Sequence, residues 1–388
     1  MTPARGAVLQ AHLEHPEALP RQREFPVQGW VTSHEPLRAA LVEGAAPAAL
    51  ELRYRPDVTK TLPDAPYSSG FFGVAQRAHL ADGAVGVRLV FESETEVRWF
   101  QLEPESDELL RARARRLERV YPVLRCIRCL SGFPESGYAF GAERIVCREC
   151  KATYDCSQGL FDLLAEDARA PLALGSEGNI SQNVYDATAQ TFIHEDPDAL
   201  ILDCGAGLRQ IEYPNVVNLE VVPYRTTDVL GDNERLPFKD AAFDGALSLA
   251  VLEHVRNPIA SAKEICRVLK PGGKLLAVVP LIAPVHAYPH HYFNMTAEGL
   301  ASLFASEIDI EDHRVPDSGL PVWALVWMLR SWAEGLPPKA RASFTGMRVG
   351  DLLGEAPEYL ERDFVKELPS AKNFELAGTT QILGRKRR

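Results

Sequence analysis

The chain has 388 residues, of which 46% are hydrophobic and 24% are charged. These proportions are typical of folded proteins and exclude a chain that is disordered throughout, and the length provides for roughly two to four domains. With 42 basic and 53 acidic residues, the net charge is −11, which argues against nucleic-acid binding over the whole surface. The first residues lack the long apolar run of a signal peptide, and no run is long enough to span a bilayer, so we expect a cytoplasmic protein.

The N-terminal part of the chain contains two kinds of sequence. Residues 1–25 are rich in proline, histidine, glutamate and arginine and show no regular period, which predicts a flexible arm. From 26 to 104, short runs with β-branched and aromatic residues alternate with clusters of proline, aspartate, glycine and serine. Strands of about five residues at this short spacing predict a small antiparallel β-sandwich, which we interpret as an accessory domain.

A helix is predicted next. Residues 105–120 contain five arginines and neither glycine nor proline, which predicts a solvated linker helix with Ser106 as its N-cap. Asp107 and Glu108 precede Arg111 by one turn and can form helical ion pairs with it. A basic patch that binds RNA is the alternative interpretation of the same arginines.

Four of the seven cysteines form two C-x-x-C pairs in the segment 121–165, and 17 residues separate the pairs. This spacing is typical of a zinc ribbon, in which two tight turns direct four thiolates at one tetrahedral ion. A segment of about 40 residues buries too little core to fold alone, so a structural Zn²⁺ would supply the missing free energy. The predicted ligands are Cys126, Cys129, Cys147 and Cys150.

The other three cysteines have different contexts. Cys156 could replace one ligand, although its distance from the second pair favours a packed thiol, and Cys204 and Cys266 stand in apolar runs that indicate core positions. The segment that ends at Tyr154–Leu164 resembles the zinc ribbons that are joined to, or act with, several methyltransferases. These include the small activator protein of tRNA and translation-factor methyltransferases.

From residue 166 to residue 388 the pattern predicts an α/β domain. Short apolar runs alternate with helical spacing, which is typical of a parallel sheet with right-handed crossovers. One predicted helix, Asn257–Leu269, is followed by Lys-Pro-Gly-Gly, a sequence that ends helices. The predicted buried strands are Leu200–Leu202, Val216–Leu219, Gly245–Leu249 and Lys274–Val279.

A candidate cofactor site lies at the start of this domain. The segment Ile201–Gly207 is a strand that continues into a glycine-rich turn, and glycine allows the close approach of a ligand to the backbone. Glu220 ends the second strand, 17 residues after Asp203, where a carboxylate can accept hydrogen bonds from a ribose diol. Further short motifs follow in order: Asp232–Phe238, Ala242–Asp244, Val251–Val255 and Arg267–Gly273.

This series, from about residue 200 to residue 280, resembles the class I S-adenosylmethionine (SAM) methyltransferases of the small-molecule type. The resemblance implies a Rossmann-like core of seven strands, preceded here by the small β-sandwich and the zinc ribbon, and SAM as the cofactor. Asp203 and the two glycines would line its methionine and ribose end, Glu220 would hold the ribose hydroxyls, and Asp232 would accept from the adenine amino group. The complete implied set is Asp203, Gly205, Gly207, Glu220, Asp232, Asn233, Leu236, Leu249 and Ala250.

One part of the sequence departs from that family. Only 12 residues separate Gly207 from Glu220, where the family has a full crossover helix, so one or two turns are the most that fit. The turn also lacks a third glycine and has Leu208 and Arg209 instead. Arg209 is therefore a candidate partner for the methionine carboxylate.

Histidines mark the predicted acceptor side. His286, His290 and His291 stand on the segment after the strand that ends at Val279, and His254 follows the preceding strand. Ligands of open α/β sheets bind at this carboxyl edge, and imidazole suits the deprotonation of a hydroxyl. The predicted catalytic residues are His254, His290 and His291, and a metal site formed by His254, His286, His290 and Glu253 is an alternative.

The last part of the chain is predicted to complete the sheet. A sixth strand is expected at Ile308–Val315 and a last antiparallel strand at Phe374–Arg385, with a helical insertion at about 318–368. Trp323 and Trp327 share one helical face, which predicts core packing. A lid over the acceptor, or a helix on a membrane surface, is the alternative.

The leading functional hypothesis is a bacterial SAM-dependent methyltransferase that acts on a hydroxyl of a glycan or related small molecule. The segments Val27–Trp30 and Tyr54–Val58 support it, since they resemble accessory β-domains of bacterial surface-glycan glycosyltransferases and methyltransferases. An RNA methyltransferase guided by the zinc ribbon and the arginines of 111–128 is an alternative that the acidic net charge disfavours. A degenerate, non-catalytic scaffold with the SAM fold is the third hypothesis, because the crossover is short.

Overall fold

The computed structural model describes most of the chain, and it divides the chain into two compact units. The first unit comprises Met1–Leu249 and Ala260–Ala277, and the second comprises Ala250–Ile259 and Val278–Arg388. The described residues are 8–15, 24–43, 48–54, 67–76, 78–79, 85–86, 88–94, 97–101, 107–134, 138–157, 159–172, 184–209, 211–286 and 290–377.

The N-terminal part forms two antiparallel sheets of four strands each and a short two-stranded ribbon. The rings of Phe71 and Phe91, one from each four-stranded sheet, lie 5.1 Å apart between centroids. The first strand falls inside the segment predicted as a flexible arm, and it pairs with the second strand. The strands are β1 Val8–His15, β2 Glu24–Ser33, β3 Ala39–Glu43, β4 Ala48–Ala49, β5 Glu51–Tyr54, β6 Tyr67–Gln76, β7 Ala78–His79, β8 Val85–Gly86, β9 Arg88–Glu92 and β10 Val97–Gln101. The two sheets have the orders β1-β2-β6-β5 and β10-β9-β3-β4, and β7 pairs with β8 in the ribbon.

The rest of the chain has mixed structure. Its strands are β11 Arg144–Val146, β12 Thr153–Asp155, β13 Phe161–Asp162, β14 Ile201–Cys204, β15 Val216–Glu220, β16 Val229–Leu230, β17 Phe243–Leu249 and β18 Leu269–Val278. Its α-helices are α1 Asp107–Val120, α2 Glu166–Leu172, α3 Ala187–His194, α4 Pro258–Val268, α5 Ala297–Phe304, α6 Pro321–Gly335, α7 Pro338–Thr345, α8 Asp363–Lys366 and α9 Ser370–Leu376. Short 3₁₀ helices cover Tyr121–Val123, Asp317–Gly319, Val349–Leu352 and Ala356–Tyr359.

Helix α1 is not the solvated linker that its arginines predict. Arg113 and Arg116 are each 4% exposed, and the Nε of Arg116 donates to Oδ1 of the fully buried Asp228 at 2.7 Å. Arg116 also pairs with Glu212, which forms a second ion pair with Arg225 at 2.8 Å. These ion pairs fix one face of the helix in the first unit, and the predicted cap Ser106 lies outside the described residues.

The central sheet of the first unit has six strands in the order β13-β16-β15-β14-β17-β18. The pairs from β13 to β17 are parallel, as the βαβ pattern predicts. Strand β13 comes from the end of the predicted zinc ribbon, so this segment contributes an edge strand to the sheet. Helix α3 packs against one face of this sheet. The buried residues of this contact are Tyr185, Ala189, Ile193, Ile201, Val216 and Leu247.

Two predicted boundaries shift at the end of this sheet. Helix α4 ends at Val268, and β18 begins at once at Leu269, so the Lys-Pro-Gly-Gly sequence lies within the strand bounds. The left-handed backbone of Gly272, with φ of +78°, places the turn conformation inside that strand. The side chain of Lys270 pairs there with Asp244 at 2.8 Å.

The seven-stranded prediction is not confirmed, because the described residues form six strands in this sheet. The segment Ile308–Val315 is described and forms no strand, and Ile310 and Val315 are exposed. Its alternation of apolar and charged residues suits a strand only where a neighbour covers one face. The predicted last strand begins in helix α9, and its residues 378–385 lie outside the described part of the chain.

The second unit is built mainly from helices α5 to α9. Thr296 caps α5 by accepting from the backbone N–H of Gly299 at 3.0 Å. Trp323 and Trp327 are 63% and 41% exposed, so the prediction of core packing is wrong for both.

None of the helices in the described ranges is both long and apolar enough to cross a bilayer. The core of α7 and α8 consists of Leu336, Ala340, Phe344, Phe364 and Leu368, with Trp332 packed against it.

Candidate functional site

The glycine-rich turn follows β14 directly, as the sequence predicts. Gly205 and Gly207 have φ values of +78° and +62°, a left-handed conformation that glycine adopts without steric cost. The backbone N–H groups of Gly205 and Ala206 both donate to the carbonyl of Leu219, each at 3.0 Å. The turn is thereby held against the end of β15, where Glu220 follows.

The Glu220 carboxylate is held by the backbone on both of its oxygens. Oε2 accepts from the N–H of Gly207 at 2.8 Å, and Oε1 accepts from the N–H of Val221 at 2.7 Å. Burial raises the pKa of Glu220 above its ordinary value. Each carboxylate oxygen has a further lone pair, so the group can still accept hydrogen bonds from a diol.

Asp203 is held by side chains, whereas Glu220 is held by backbone N–H groups. Its side chain is fully buried, and Oδ2 accepts from Nε and Nη2 of Arg209 at 2.9 and 2.6 Å. The hydroxyl of Tyr185 donates to the same oxygen at 2.6 Å, whereas Oδ1 has no hydrogen-bond partner among the described residues. The guanidinium that the sequence suggests for a methionine carboxylate is therefore already paired with Asp203.

Arg209 also contacts the aromatic ring of Tyr185, which hydrogen-bonds to the same Asp203. The guanidinium of Arg209 lies 4.0 Å from the ring centroid of Tyr185, and only 1% of the arginine is exposed. Tyr213 lies in the short crossover, whose described residues form no helix, and its ring is 5.7 Å from that of Tyr185 and 5.1 Å from that of His194. Sequence reasoning missed Tyr185, because a lone tyrosine before helix α3 carries no motif.

The predicted adenine contacts follow β16. Burial raises the pKa of Asp232, whose Oδ1 accepts from the backbone N–H of Glu234 at 2.9 Å. Asn233 is 7% exposed, and its Oδ1 has no partner among the described residues. Leu236 is fully buried, and its N–H donates to Glu264 at 2.8 Å. A buried amide oxygen without a donor is the type of group that a bound ligand can satisfy.

The last two predicted cofactor residues stand where the first unit ends. Leu249 is half-buried at the end of β17 and packs against the core beneath helix α3. Ala250 begins the second unit with a left-handed backbone, φ +56°, and its N–H donates to the carbonyl of Val278 at 2.9 Å. A left-handed alanine is strained, and such strain is more frequent at functional positions than elsewhere.

Three of the four histidines singled out from the sequence lie together in the second unit. The ring centroids of His254, His286 and His291 are 4.5 to 5.5 Å apart. His290 contributes its carbonyl oxygen, which accepts from Nδ1 of His254 at 2.7 Å. Burial lowers the pKa values of His254 and His286, which keeps both rings neutral near pH 7.

Glu253 adds a carboxylate beside these rings. Its side chain is fully buried, neither carboxylate oxygen has a partner among the described residues, and burial raises its pKa to about 8. Oε1 lies 3.8 Å from Nε2 of His254. Sequence reasoning included Glu253 only in the alternative metal site, because the sequence cannot show that this carboxylate lacks hydrogen-bond donors.

The four predicted zinc ligands cluster in the first unit, and their sulfurs all lie within 4.8 Å of one another. Cys126 and Cys150 are 3.5 Å apart between sulfurs, as are Cys129 and Cys147. Sulfurs that share one tetrahedral Zn²⁺ at about 2.3 Å stand about 3.8 Å apart. The donor set and its spacing therefore fit such an ion.

The two C-x-x-C turns have matching backbone geometry. In each pair, the residue after the second cysteine has a left-handed backbone. Its φ is 64° at Leu130 and 60° at Lys151. Each of these residues donates its N–H to the carbonyl of the first cysteine of its pair, at 2.8 Å to Cys126 and 3.1 Å to Cys147. Cys156 is not part of the cluster, since its thiol is buried and donates to the carbonyl of Ala142 at 3.1 Å.

Comparison with known proteins identifies one segment of the chain. Residues 206–277 match the sequence model of a family described as a methyltransferase domain. A malonyl-[acyl-carrier protein] O-methyltransferase of Herminiimonas arsenicoxydans is 32% identical over 116 residues, which is 30% of this chain and 42% of that protein. A probable tRNA methyltransferase 9B of Homo sapiens is 30% identical over 127 residues, 25% of this chain and 28% of that protein.

The chain therefore spans less than half the length of these curated relatives. Among solved structures, a phosphoethanolamine N-methyltransferase 2 of Haemonchus contortus in complex with S-adenosyl-L-methionine is 11% identical, with a TM-score of 0.27. The alignment covers 83% of this chain and 67% of that one. Residues 206–277 are therefore similar to a methyltransferase domain, and they lie in a sheet whose parallel strands and glycine turn are Rossmann-like.

Proposed function

We propose that this chain is a SAM-dependent methyltransferase that transfers a methyl group to a hydroxyl of a glycan or related small molecule. The observation that carries the proposal is the Glu220 carboxylate, which the N–H groups of Gly207 and Val221 hold beside the glycine turn. It lies within the segment that matches a methyltransferase domain.

The residues present suit the cofactor. Glu220 would accept from the ribose hydroxyls, and the two glycines leave the adjoining backbone without side chains. The unpaired Oδ1 atoms of Asp203 and Asn233 are buried oxygens that a ligand N–H could satisfy. Asp232, Leu236, Leu249 and Ala250 complete the proposed binding set. When bound, SAM supplies the methyl group on its sulfonium sulfur.

The acceptor must lose a proton when its hydroxyl oxygen is methylated. We assign this proton to one of His254, His290 and His291, the histidines predicted from the sequence. His254 donates Nδ1–H to a backbone carbonyl, so its neutral ring carries the lone pair on Nε2. A neutral imidazole with a fixed tautomer is suited to act as a general base.

Cofactor binding is the direct test. We expect the full chain to bind S-adenosylhomocysteine in a calorimetric titration and Glu220→Gln to weaken the affinity about 10- to 100-fold, because hydrogen bonds to a charged acceptor are lost. Glu195→Gln is the matched control, since Glu195 is an exposed acid that pairs with Lys274 on the surface. Equal affinity in Glu220→Gln would remove the ribose assignment. If the wild-type chain does not bind, the enzyme proposal fails and the scaffold hypothesis remains.

The same titration should depend on pH. Since burial raises the pKa of Glu220, this carboxyl takes up its proton at a higher pH than an exposed glutamate does. A protonated carboxyl accepts hydrogen bonds more weakly, so the affinity should fall as the pH is lowered, and the fall should begin at a higher pH than the titration of an exposed glutamate would give. In Glu220→Gln this part of the pH dependence should disappear, and an unchanged profile in that variant would show that another group titrates.

RNA is the second candidate acceptor, because one relative is named a probable tRNA methyltransferase. Two of the arginines that would form the basic patch, Arg113 and Arg116, are buried within the first unit. This burial favours the small-molecule acceptor. The discriminating measurement is RNA binding at several salt concentrations, since phosphate contacts give a steep salt dependence.

We also propose that the four-cysteine cluster binds a structural Zn²⁺. Hydroxyl groups lie next to its sulfurs, with Tyr154 Oη 3.0 Å from Cys126 and Ser131 Oγ 2.8 Å from Cys129. Hydroxyl donors of this kind stabilise the thiolate form and orient the ligands. Four cysteine ligands complete a tetrahedral shell, so the ion would have a structural role.

A further inference from the structure

A second group of metal-binding side chains lies in the second unit, apart from the cysteine cluster. It consists of Glu253, His254 and His286, which each offer one ligand atom, and these atoms all lie within 4.8 Å of one another. The first two are adjacent in the chain, and His286 comes from the segment after β18. A carboxylate and two imidazoles form a common ligand set for divalent transition metals.

Backbone carbonyls orient both histidines. Nδ1 of His254 donates to the carbonyl of His290 at 2.7 Å, and Nδ1 of His286 donates to the carbonyl of Pro284 at 2.9 Å. The lone pair of each neutral ring is then on Nε2. Metal-binding histidines are usually held in this way, with the non-ligating N–H bonded to a carbonyl or a carboxylate.

The nearby His291 has a different arrangement. Its Nδ1 accepts from the backbone N–H of His286 at 3.2 Å, and its Nε2 is 2.9 Å from Oδ1 of Asn294. Both ring nitrogens are therefore hydrogen-bonded, and the ring supports the segment that carries His286. This assigns His291 a supporting position and leaves two histidines as ligands.

Glu253 is the group that most directly indicates a cation. Its side chain is fully buried, and neither carboxylate oxygen has a hydrogen-bond partner among the described residues. Burial of a carboxylate without donors or a counter-charge is costly, and buried carboxylates are normally paired or bound to metal. Nε2 of His254, 3.8 Å from Oε1 of Glu253, carries a lone pair in the neutral ring and cannot donate to the carboxylate.

We propose that Glu253, His254 and His286 bind one divalent transition-metal ion, with Zn²⁺ as the representative ion. Two ligand atoms on a tetrahedral ion, each about 2.1 Å from it, stand about 3.4 Å apart. The distance between Oε1 of Glu253 and Nε2 of His254 exceeds this by a few tenths of an ångström. No two of the three ligand atoms are more than 4.8 Å apart, so small side-chain shifts would bring them to the distances of a bound ion. Three protein ligands leave a coordination position open, in contrast to the four-cysteine cluster.

The open position suggests a role in the proposed methyl transfer, and this step rests on the proposed function. A hydroxyl bound to a divalent ion loses its proton more readily, as water does on Zn²⁺. The ion would then activate the acceptor oxygen, His254 would serve as a ligand, and His290 would remain as the predicted base that receives the proton. The metal site itself does not depend on this step.

Metal content tests the site directly. The purified full chain and its variants are dialysed against buffered Zn²⁺, and bound zinc is measured by mass spectrometry. We expect His286→Ala and Glu253→Gln each to hold one ion fewer per chain than the wild type. His313→Ala is the matched control, because His313 is an exposed histidine of the same unit and should leave the content unchanged.

The fold of each variant is checked by its thermal unfolding before metal is added. Glu253→Gln keeps the size of the side chain and replaces a buried carboxyl with a neutral amide, so this variant should remain folded. Equal zinc content in the wild type and in both variants would overturn the proposal. Binding of S-adenosylhomocysteine is measured on the same samples, so failure of the metal site and failure of the proposed methyltransferase function give different results.

Discussion

Replacing Arg116 with methionine is expected to lower the free energy of unfolding by about 3–5 kcal/mol, because the change leaves a buried carboxylate without its partner. Asp228 is fully buried, and Arg116 Nε is 2.7 Å from its Oδ1. Burial raises the pKa of Asp228, and the charge of Arg116 opposes this rise. Chemical denaturation followed by circular dichroism measures the loss.

The control for this prediction lies on the same helix. Arg115 is exposed, so Arg115→Met removes the same charge without unpairing a buried acid and should change stability by less than about 0.5 kcal/mol. Similar losses in both variants would show that the net charge of α1, and not the buried ion pair, stabilises the unit. An unchanged Arg116→Met variant would contradict the buried network.

Removal of metal from the cysteine cluster is expected to open the segment 121–165. The rings of Tyr121 and Tyr138 stack in its core and Phe161 lies nearby, but a segment of this length buries too little core to fold alone, so the ion would contribute much of its folding free energy. Chelation, or the variant Cys147→Ser, should release the ion and make the segment sensitive to limited proteolysis. Mass spectrometry of the fragments locates the cleavage.

The fifth cysteine of this segment provides the comparison. Cys156→Ala removes a buried thiol that lies outside the cluster, so it should retain the ion and the protease resistance. Retention of the ion in Cys147→Ser, or resistance of the metal-free segment to protease, would contradict a structural zinc.

The local parts of the fold could be predicted from the sequence because they depend on short-range chemistry. The turn after β14 needs left-handed backbone at Gly205 and Gly207, and glycine at those positions indicates it. Two C-x-x-C pairs indicate a tetrahedral cluster because only a few chain geometries bring four thiolates together. The cap that Thr296 provides for helix α5 through its hydroxyl is also a short-range contact.

Predictions that depend on a distant partner were less successful. The alternation in Ile308–Val315 indicates a strand, yet no strand forms there in the structure. The spacing of Trp323 and Trp327 shows that they share a helical face, but it does not show whether another element covers that face.

The sequence by itself determined the order of strands and turns around the candidate cofactor site, the four clustered cysteines and the histidine-rich segment. Only the tertiary structure decided which charged groups are paired: Arg209 with Asp203, Arg116 with Asp228, and Glu253 with no donor among the described residues. The physical reason is that the cost of burying a charge depends on its neighbours in space, and those neighbours come from distant parts of the chain.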